Sequence, residues 1–189
     1  MFIIFLGPPA VGKGTQASRL VAHLSAHHLS TGDMLRQVRR EPSELGERLA
    51  ELMDAGKLVS DEVVLDVVKS RMDVIGLDAN YLFDGFPRTI AQAEALDAIL
   101  SASDLAVNHV IELVVPDQVL VDRVKKRAAL ESRADDTPET VAKRVDIYRE
   151  QTEPLVAFYG SRGIVSKVDG VGTVDEVFDR LISVLETGS

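Results

Sequence analysis

The chain has 189 residues, 46% of them hydrophobic and 27% charged, which suits one globular domain with room for a sizeable core. Its formal charge of -9 argues against non-specific nucleic-acid binding, which needs a basic face. With no cysteine there is no disulfide and no Cys-ligated zinc. No apolar run is long enough to span a bilayer, and the short N-terminal run lacks the basic start of a signal peptide, so a cytoplasmic protein is expected.

In chain order, Phe2 to Leu6 reads as a short buried strand of β-formers. Residues 7–15 follow as G-x-x-x-x-G-K-G-T, and a helical pattern continues from Thr15 through Gln16, Ala17, Arg19, Leu20 and Leu24. Strand, Gly-rich loop and helix in that order are the context a phosphate-binding loop needs. Gly7, Gly12 and Gly14 let backbone amides approach an anion closely. The helix start adds unsatisfied N–H groups and the positive end of its dipole. Lys13 is disfavoured at a helix N-terminus unless an anion sits there too. The hydroxyl of the general motif comes one place late, at Thr15, because Gly14 follows the lysine.

A further short strand is expected near 28–30, then helices over 32–40, 43–55 and 61–72. A strand at 81–83, a helix at 90–101, a strand at 110–115 and a helix at 118–130 come next. The last elements are a long helical pattern over 139–159, a strand at 164–168 and a helix at 174–186. Thr137-Pro138 offers an N-cap with a helix-compatible proline, and Thr173-x-x-Glu176 is a capping box. Gly56 and Gly163 suit helix C-termini, and Pro154 should kink or divide the long pattern around it. Short apolar runs alternating with amphipathic helices predict an α/β fold with a parallel sheet flanked by helices. Residues 31–59 and 128–136 read as insertions between the strand-forming units.

Several polar residues fall where such a sheet binds ligands. Asp84 closes the third apolar run and could hold Mg²⁺, directly or through water; an Asp before Gly85 is also a common turn former. Arg88 and Gln92 are four apart at the start of the next helix and share a face. A Gln amide matches the N6/N1 edge of adenine, yet Thr89-x-x-Gln92 is equally a capping box, and spacing leaves both open. Arg123 and Arg127 are four apart on one helix, with Arg133 in the polar loop and Arg144 on the next helix. Each alone suits a surface ion pair, but with Lys13 and Arg88 they form the cation set that phosphoryl transfer requires. His23 and His27 have i, i+4 spacing and no evident third ligand for a metal.

The stretches GPPAVGKGTQ, LSTGDMLR, MDAGKLVSDEVV, FDGFPRTIAQAE, VPDQVLVDRVKKR, SRADDTPETVAKR and VDGVGTVDEVF together resemble the adenylate kinases, within the nucleoside-monophosphate kinase family, from Met1 nearly to the C-terminus. The resemblance implies a phosphate-loop α/β fold, a monophosphate-binding subdomain over 30–59 and a short lid over 127–136. It implies reversible transfer of the terminal phosphoryl of Mg·ATP to AMP, giving ADP, in a monomer with no membrane or nucleic-acid partner. Lys13 and the amides of Ala10, Val11, Gly12, Gly14 and Thr15 would hold the ATP phosphates, with Arg123, Arg127 and the backbone near Gly172 beside them. Thr31, Arg36, Lys57, Leu58, Val59, Gly85, Phe86, Pro87, Arg88 and Gln92 would bind AMP, and Arg133 and Arg144 would bridge the two phosphate chains. Lys13, Arg88, Arg123, Arg133 and Arg144 are the implied catalytic cations, with Mg²⁺ and without zinc.

Two departures stand out. Ala10 and Val11 replace the smaller Gly-Ala pair of many relatives, so the loop geometry should differ slightly. Only AALES separates Arg127 from Arg133, where long-lid relatives insert a β-rich domain. The alternative of a UMP/CMP kinase, also short-lidded, is disfavoured by STG at 30–32 and by Gln92, and a non-catalytic nucleotide-binding module by the retained cations.

Overall fold

The computed structural model describes residues 1–40, 42–130 and 138–187. All five residues of β1 (Phe2–Leu6) are buried, and the sheet is built outward from this strand. β3 (Asn80–Asp84) lies on one side of it and β4 (His109–Val114) on the other. β2 (Ala26–Ser30) and β5 (Val165–Asp169) complete the order β2-β3-β1-β4-β5 among the described residues. Every pairing is parallel. The chain moves to one side of β1 and then to the other, so the strand order reverses there, and ligands bind beyond the carboxyl ends of strands at such a point.

The two-residue period of a strand sorts the core into two halves. Phe2, Ile4, Tyr81, Phe83 and Val110 face α4 (Asp61–Ile75), α5 (Ile90–Ser101) and α8 (Pro154–Gly160). Ile3, Phe5, Leu82, Ile111 and Leu113 face α1 (Lys13–Leu24), α6 (Asp117–Leu130) and α9 (Val174–Thr187). Phe2, Tyr81 and Phe83 form a stacked row across neighbouring strands, with ring centroids 5.3 and 5.8 Å apart. Between β2 and α4 the chain forms α2 (Thr31–Val38), which starts at the carboxyl end of β2, and α3 (Glu44–Asp54), which packs on α2.

Most expected boundaries shift by one to three residues, as helix ends do. The long pattern over 139–159 departs further. It is α7 (Pro138–Ile147), a π-helical turn at Tyr148–Thr152, and α8, which starts at Pro154. The ring of Pro154 cannot accept a continuous helix ahead of it, and the wider turn absorbs the mismatch. The capping box is present: Glu176 N donates to Thr173 Oγ1 at 3.2 Å, and Thr173 N to Glu176 Oε2 at 2.7 Å. Gly56 and Gly163 take left-handed φ of 70° and 73° after α3 and α8. Thr137 lies outside the described residues.

Phe83 is fully buried in β3 and touches both the Tyr81 ring and the Phe86 ring. Phe83→Ala should lower the unfolding free energy by about 3–5 kcal/mol through lost burial and the cavity left behind. A urea titration would show this as a lower midpoint at unchanged slope; a loss below about 1 kcal/mol would mean the site collapses freely.

Candidate active site

The loop after β1 is shaped by its glycines. Gly7 has φ of 145°, and a Cβ there would meet Leu113 O at 2.7 Å, so this close approach to β4 requires glycine. Gly12 caps α1 with φ of 110° and no side-chain hydrogen bond, and the first turn of α1 carries no acid. The helix therefore presents backbone N–H groups and the positive end of its dipole. Lys13 folds back over the loop, its Nζ donating to Gly7 O at 2.6 Å and Pro8 O at 3.1 Å. Ala10 takes a left-handed φ of 64°, a conformation costing about 1–2 kcal/mol for a residue with a Cβ. Val11 is buried in the core half around α1 and α9.

Arg123 of α6 clasps this loop to the segment after β5. Its Nη1 donates to Val11 O, and its Nη2 to Gly170 O at 2.8 Å. Gly172, on the same segment, lines the cleft with φ of 132°.

At the other end, Ser30 closes β2 and caps α2, which brings Thr31 to the sheet edge. Thr31 Oγ1 and Arg88 Nε both donate to Gly85 O, each at 2.7 Å. Thr152 Oγ1, from the π-helical turn, donates to Arg88 O at 2.9 Å and ties that turn to the floor of the site. Arg36 Nη2 donates to Asp33 Oδ1 at 2.5 Å across one turn of α2. Gln92 is 1% exposed and forms half of the expected capping box: its N donates to Thr89 Oγ1 at 3.2 Å, while its Oε1 accepts at 2.8 Å from Arg88 N, one residue ahead of the cap. Gln92 is also among the residues that line the cleft.

Asp84 sits between the two ends. His28 Nε2 lies 3.5 Å from its Oδ2. Burial alone would raise the Asp84 pKa, but His28, Lys13 and Arg88 outweigh it and hold the carboxyl below its ordinary value. The Arg88 pKa is lowered, by burial first and then by Arg144 with Arg36, while Asp84 opposes the shift. Arg144 of α7 donates to Met53 O of α3 at 3.3 Å, which brings the segment 31–59 against α7.

A single cleft of about 930 Å³ unites these groups. It takes in the expected residues from Ala10 to Thr15, Thr31, Arg36, Lys57 to Val59, Asp84, Gly85, Pro87, Arg88, Gln92, Arg123, Arg144 and Gly172. Phe86 is the exception: it is 1% exposed, packs on Phe83 in the core and does not line the cleft. Arg133 lies outside the described residues, as does the side chain of Arg127. Sequence reasoning missed His28 and Thr152. His28 pairs in register with Leu82, two places before Asp84 on the adjacent strand, which only the sheet order reveals.

A phosphate loop on a parallel sheet, with cations gathered over the carboxyl edge, defines a phosphate-loop nucleotide-binding protein. Comparison with known proteins narrows this. The adenylate kinase family model matches residues 5–164. The chain is 48% identical over 183 residues to an adenylate kinase of Thermus thermophilus, covering 97% of this chain and 96% of that protein. It is 46% identical over 186 residues to one of Hyphomonas neptunium, covering 98% of each. With one of Stenotrophomonas maltophilia it shares 44% over 186 residues, 98% of this chain and all of that protein. The chain belongs to the adenylate kinase family.

The depressed Asp84 pKa makes a signed prediction. A carboxyl held below its unfolded value contributes stability above the unfolded pKa of about 3.9, and loses it as pH falls through the folded value. The unfolding free energy of the wild type, minus that of Asp84→Asn, should therefore shrink steadily below about pH 5. Urea melts at stepped pH read this directly; a difference that widens on acidification would contradict it.

Proposed function

We propose that the protein catalyses reversible phosphoryl transfer between Mg·ATP and AMP, giving two ADP. The observation that carries the reading is one cleft with the phosphate loop at one end, Thr31, Arg88 and Gln92 at the other, and Asp84 between them. Its geometry suits two nucleotides meeting phosphate to phosphate.

In this reading the α1 amides and Lys13 hold the ATP phosphates, and Arg123, braced between Val11 and Gly170, keeps the loop shaped around them. Thr31, Arg36, the 57–59 backbone and residues 85–88 receive AMP, with the Gln92 amide on its base. Of Phe86, only the backbone takes part, since its ring belongs to the core. Arg88 and Arg144, joined by Arg133 from the lid, surround the phosphoryl group in transit, and Arg127 flanks ATP. In-line displacement requires only this positioning and charge stabilisation, with no covalent enzyme intermediate. Closure of the 30–59 subdomain and the 127–136 lid excludes water, which would otherwise compete with AMP as acceptor.

Mg²⁺ enters with ATP as part of the substrate and neutralises charge on the phosphates. The described residues contain no cluster of three or more His, Cys, Asp or Glu able to cage a metal. A lone Asp84 suits a cation that keeps its water and leans on phosphate oxygens. With no cysteine in the chain, this reading carries no Cys-bound zinc in the lid. Among the described residues no helix is long and apolar enough to cross a membrane. A cytoplasmic monomer is proposed with this activity.

Lys13→Met should lower kcat by about 10²–10³-fold, because the ammonium that would hold the ATP phosphates is lost. The measurement is a coupled assay for ADP with Mg·ATP and each of AMP, UMP, CMP and GMP, with thermal melting alongside. AMP should be the preferred acceptor, and the variant should still melt cooperatively as a folded protein. Wild-type turnover in the variant, or preference for a pyrimidine, would overturn the assignment.

A further inference from the structure

Asp61 is the first residue of α4, where a carboxylate has a ready explanation in the helix dipole. Its two oxygens are engaged elsewhere. Oδ1 accepts from Gln92 Nε2 at 2.7 Å, and Oδ2 accepts from Thr89 Oγ1 at 3.0 Å. Asp61 does not line the cleft; it stands behind Gln92, which does. On its other side the Gln92 amide is fixed by Arg88 N, which donates to Oε1 at 2.8 Å.

These two neighbours have opposite and unchangeable polarity. An ionised carboxylate only accepts, and a backbone N–H only donates. Rotating the amide by half a turn would set Oε1 against the Asp61 carboxylate and the NH₂ group against the Arg88 N–H. Both contacts would then be repulsive, in a side chain that is 1% exposed. One N–H and one lone pair are left over, with their order fixed. The remaining lone pair accepts from an exocyclic amine, and the remaining N–H donates to a bare ring nitrogen. That is the N6/N1 edge of adenine. A 6-oxo purine such as guanine or hypoxanthine presents the reverse order, an acceptor at O6 and a donor at N1, and would need the flipped amide.

We propose that Asp61 is a specificity-determining positioning residue that locks the Gln92 amide in its adenine-reading orientation and so rejects 6-oxo purine monophosphates. The inference rests on the reading of Gln92 as the AMP base contact. Rejection here works through penalties against the wrong ligand as much as through attraction of the right one. Thr89 completes the lock. Its hydroxyl donates to Asp61 and accepts from Gln92 N, so the cap of α5 and the polarity of the amide belong to one network.

Asp61→Asn keeps the shape and replaces an obligate acceptor by an amide that can donate to a flipped Gln92. With saturating Mg·ATP, KM for AMP should rise about tenfold while kcat changes far less, since one hydrogen-bond arrangement at the base is weakened and the phosphates are untouched. The ratio of kcat/KM for AMP to that for GMP and for IMP should fall about tenfold. That ratio does not depend on how much of the variant is folded, so partial unfolding cannot imitate it. Gln92→Ala is the parallel arm and should raise KM for AMP at least as much. If Gln92→Ala raises KM but Asp61→Asn leaves both KM and the AMP preference unchanged, the lock is overturned and Asp61 serves only the helix ends. If Gln92→Ala leaves KM for AMP unchanged, the base-reading role on which the lock rests is overturned.

Discussion

The site depends on holding several positive charges close together in a partly buried cleft. The charge of Arg88 is opposed by burial and by the nearby Arg144 and Arg36, with Asp84 as the balancing group. Lys13 lies close enough to Asp84 to bear on its ionisation, and it sits at a helix N-terminus whose dipole disfavours a cation. Such an arrangement is costly for a fold and well suited to a polyanion. Stabilising the charge that spreads over a phosphoryl group in transit requires cations in place beforehand, in a site that excludes water.

The sheet makes this gathering possible. Because every pairing is parallel, all five carboxyl ends open to one edge, and the reversal of order at β1 leaves a crevice there. The phosphate loop leaves β1, Asp84 ends β3, Ser30 ends β2 and Gly170 follows β5. Backbone carbonyls then set the side chains: Gly85 O receives Thr31 and Arg88, Val11 O and Gly170 O receive Arg123, and the π-helical turn holds Arg88 O. The left-handed Ala10 adds backbone strain at this edge.

Much of this was legible in the sequence because it is local. The phosphate loop, its glycines and Lys13 are one contiguous motif; the Thr173–Glu176 and Thr89–Gln92 boxes are four-residue patterns; the strands are short apolar runs between turn signals. Spacing left cap or base contact open at Gln92, and the two are sterically compatible. Its backbone N donates to the capping Thr89 Oγ1, and the residue lines the cleft. What escaped the sequence is what depends on the crossing of distant segments. His28 meets Asp84 only because β2 and β3 are neighbours, and Asp61 meets Gln92 only because two helix starts abut. The break of the 139–159 pattern was readable at Pro154, but its form as a π-helical turn anchoring Arg88 was not. Phe86 misled for a related reason: residues 85–88 form one motif, yet its ring turns into the core while its neighbours face the cleft.

The central claim, that these cations are assembled for a phosphate ligand at the expense of the fold, can be tested at Arg88. Gly85 O keeps its hydrogen bond from Thr31 when the guanidinium is removed, so Arg88→Met leaves no buried acceptor there without a partner. The decisive measurement is the melting temperature of wild type and Arg88→Met without nucleotide, set beside their turnover with Mg·ATP and AMP. The account predicts a melting temperature equal to or above wild type, with turnover reduced by about 10²–10³-fold. A variant that melts several degrees lower, or that turns over normally at saturating substrate, would show that Arg88 serves the fold and would contradict the account.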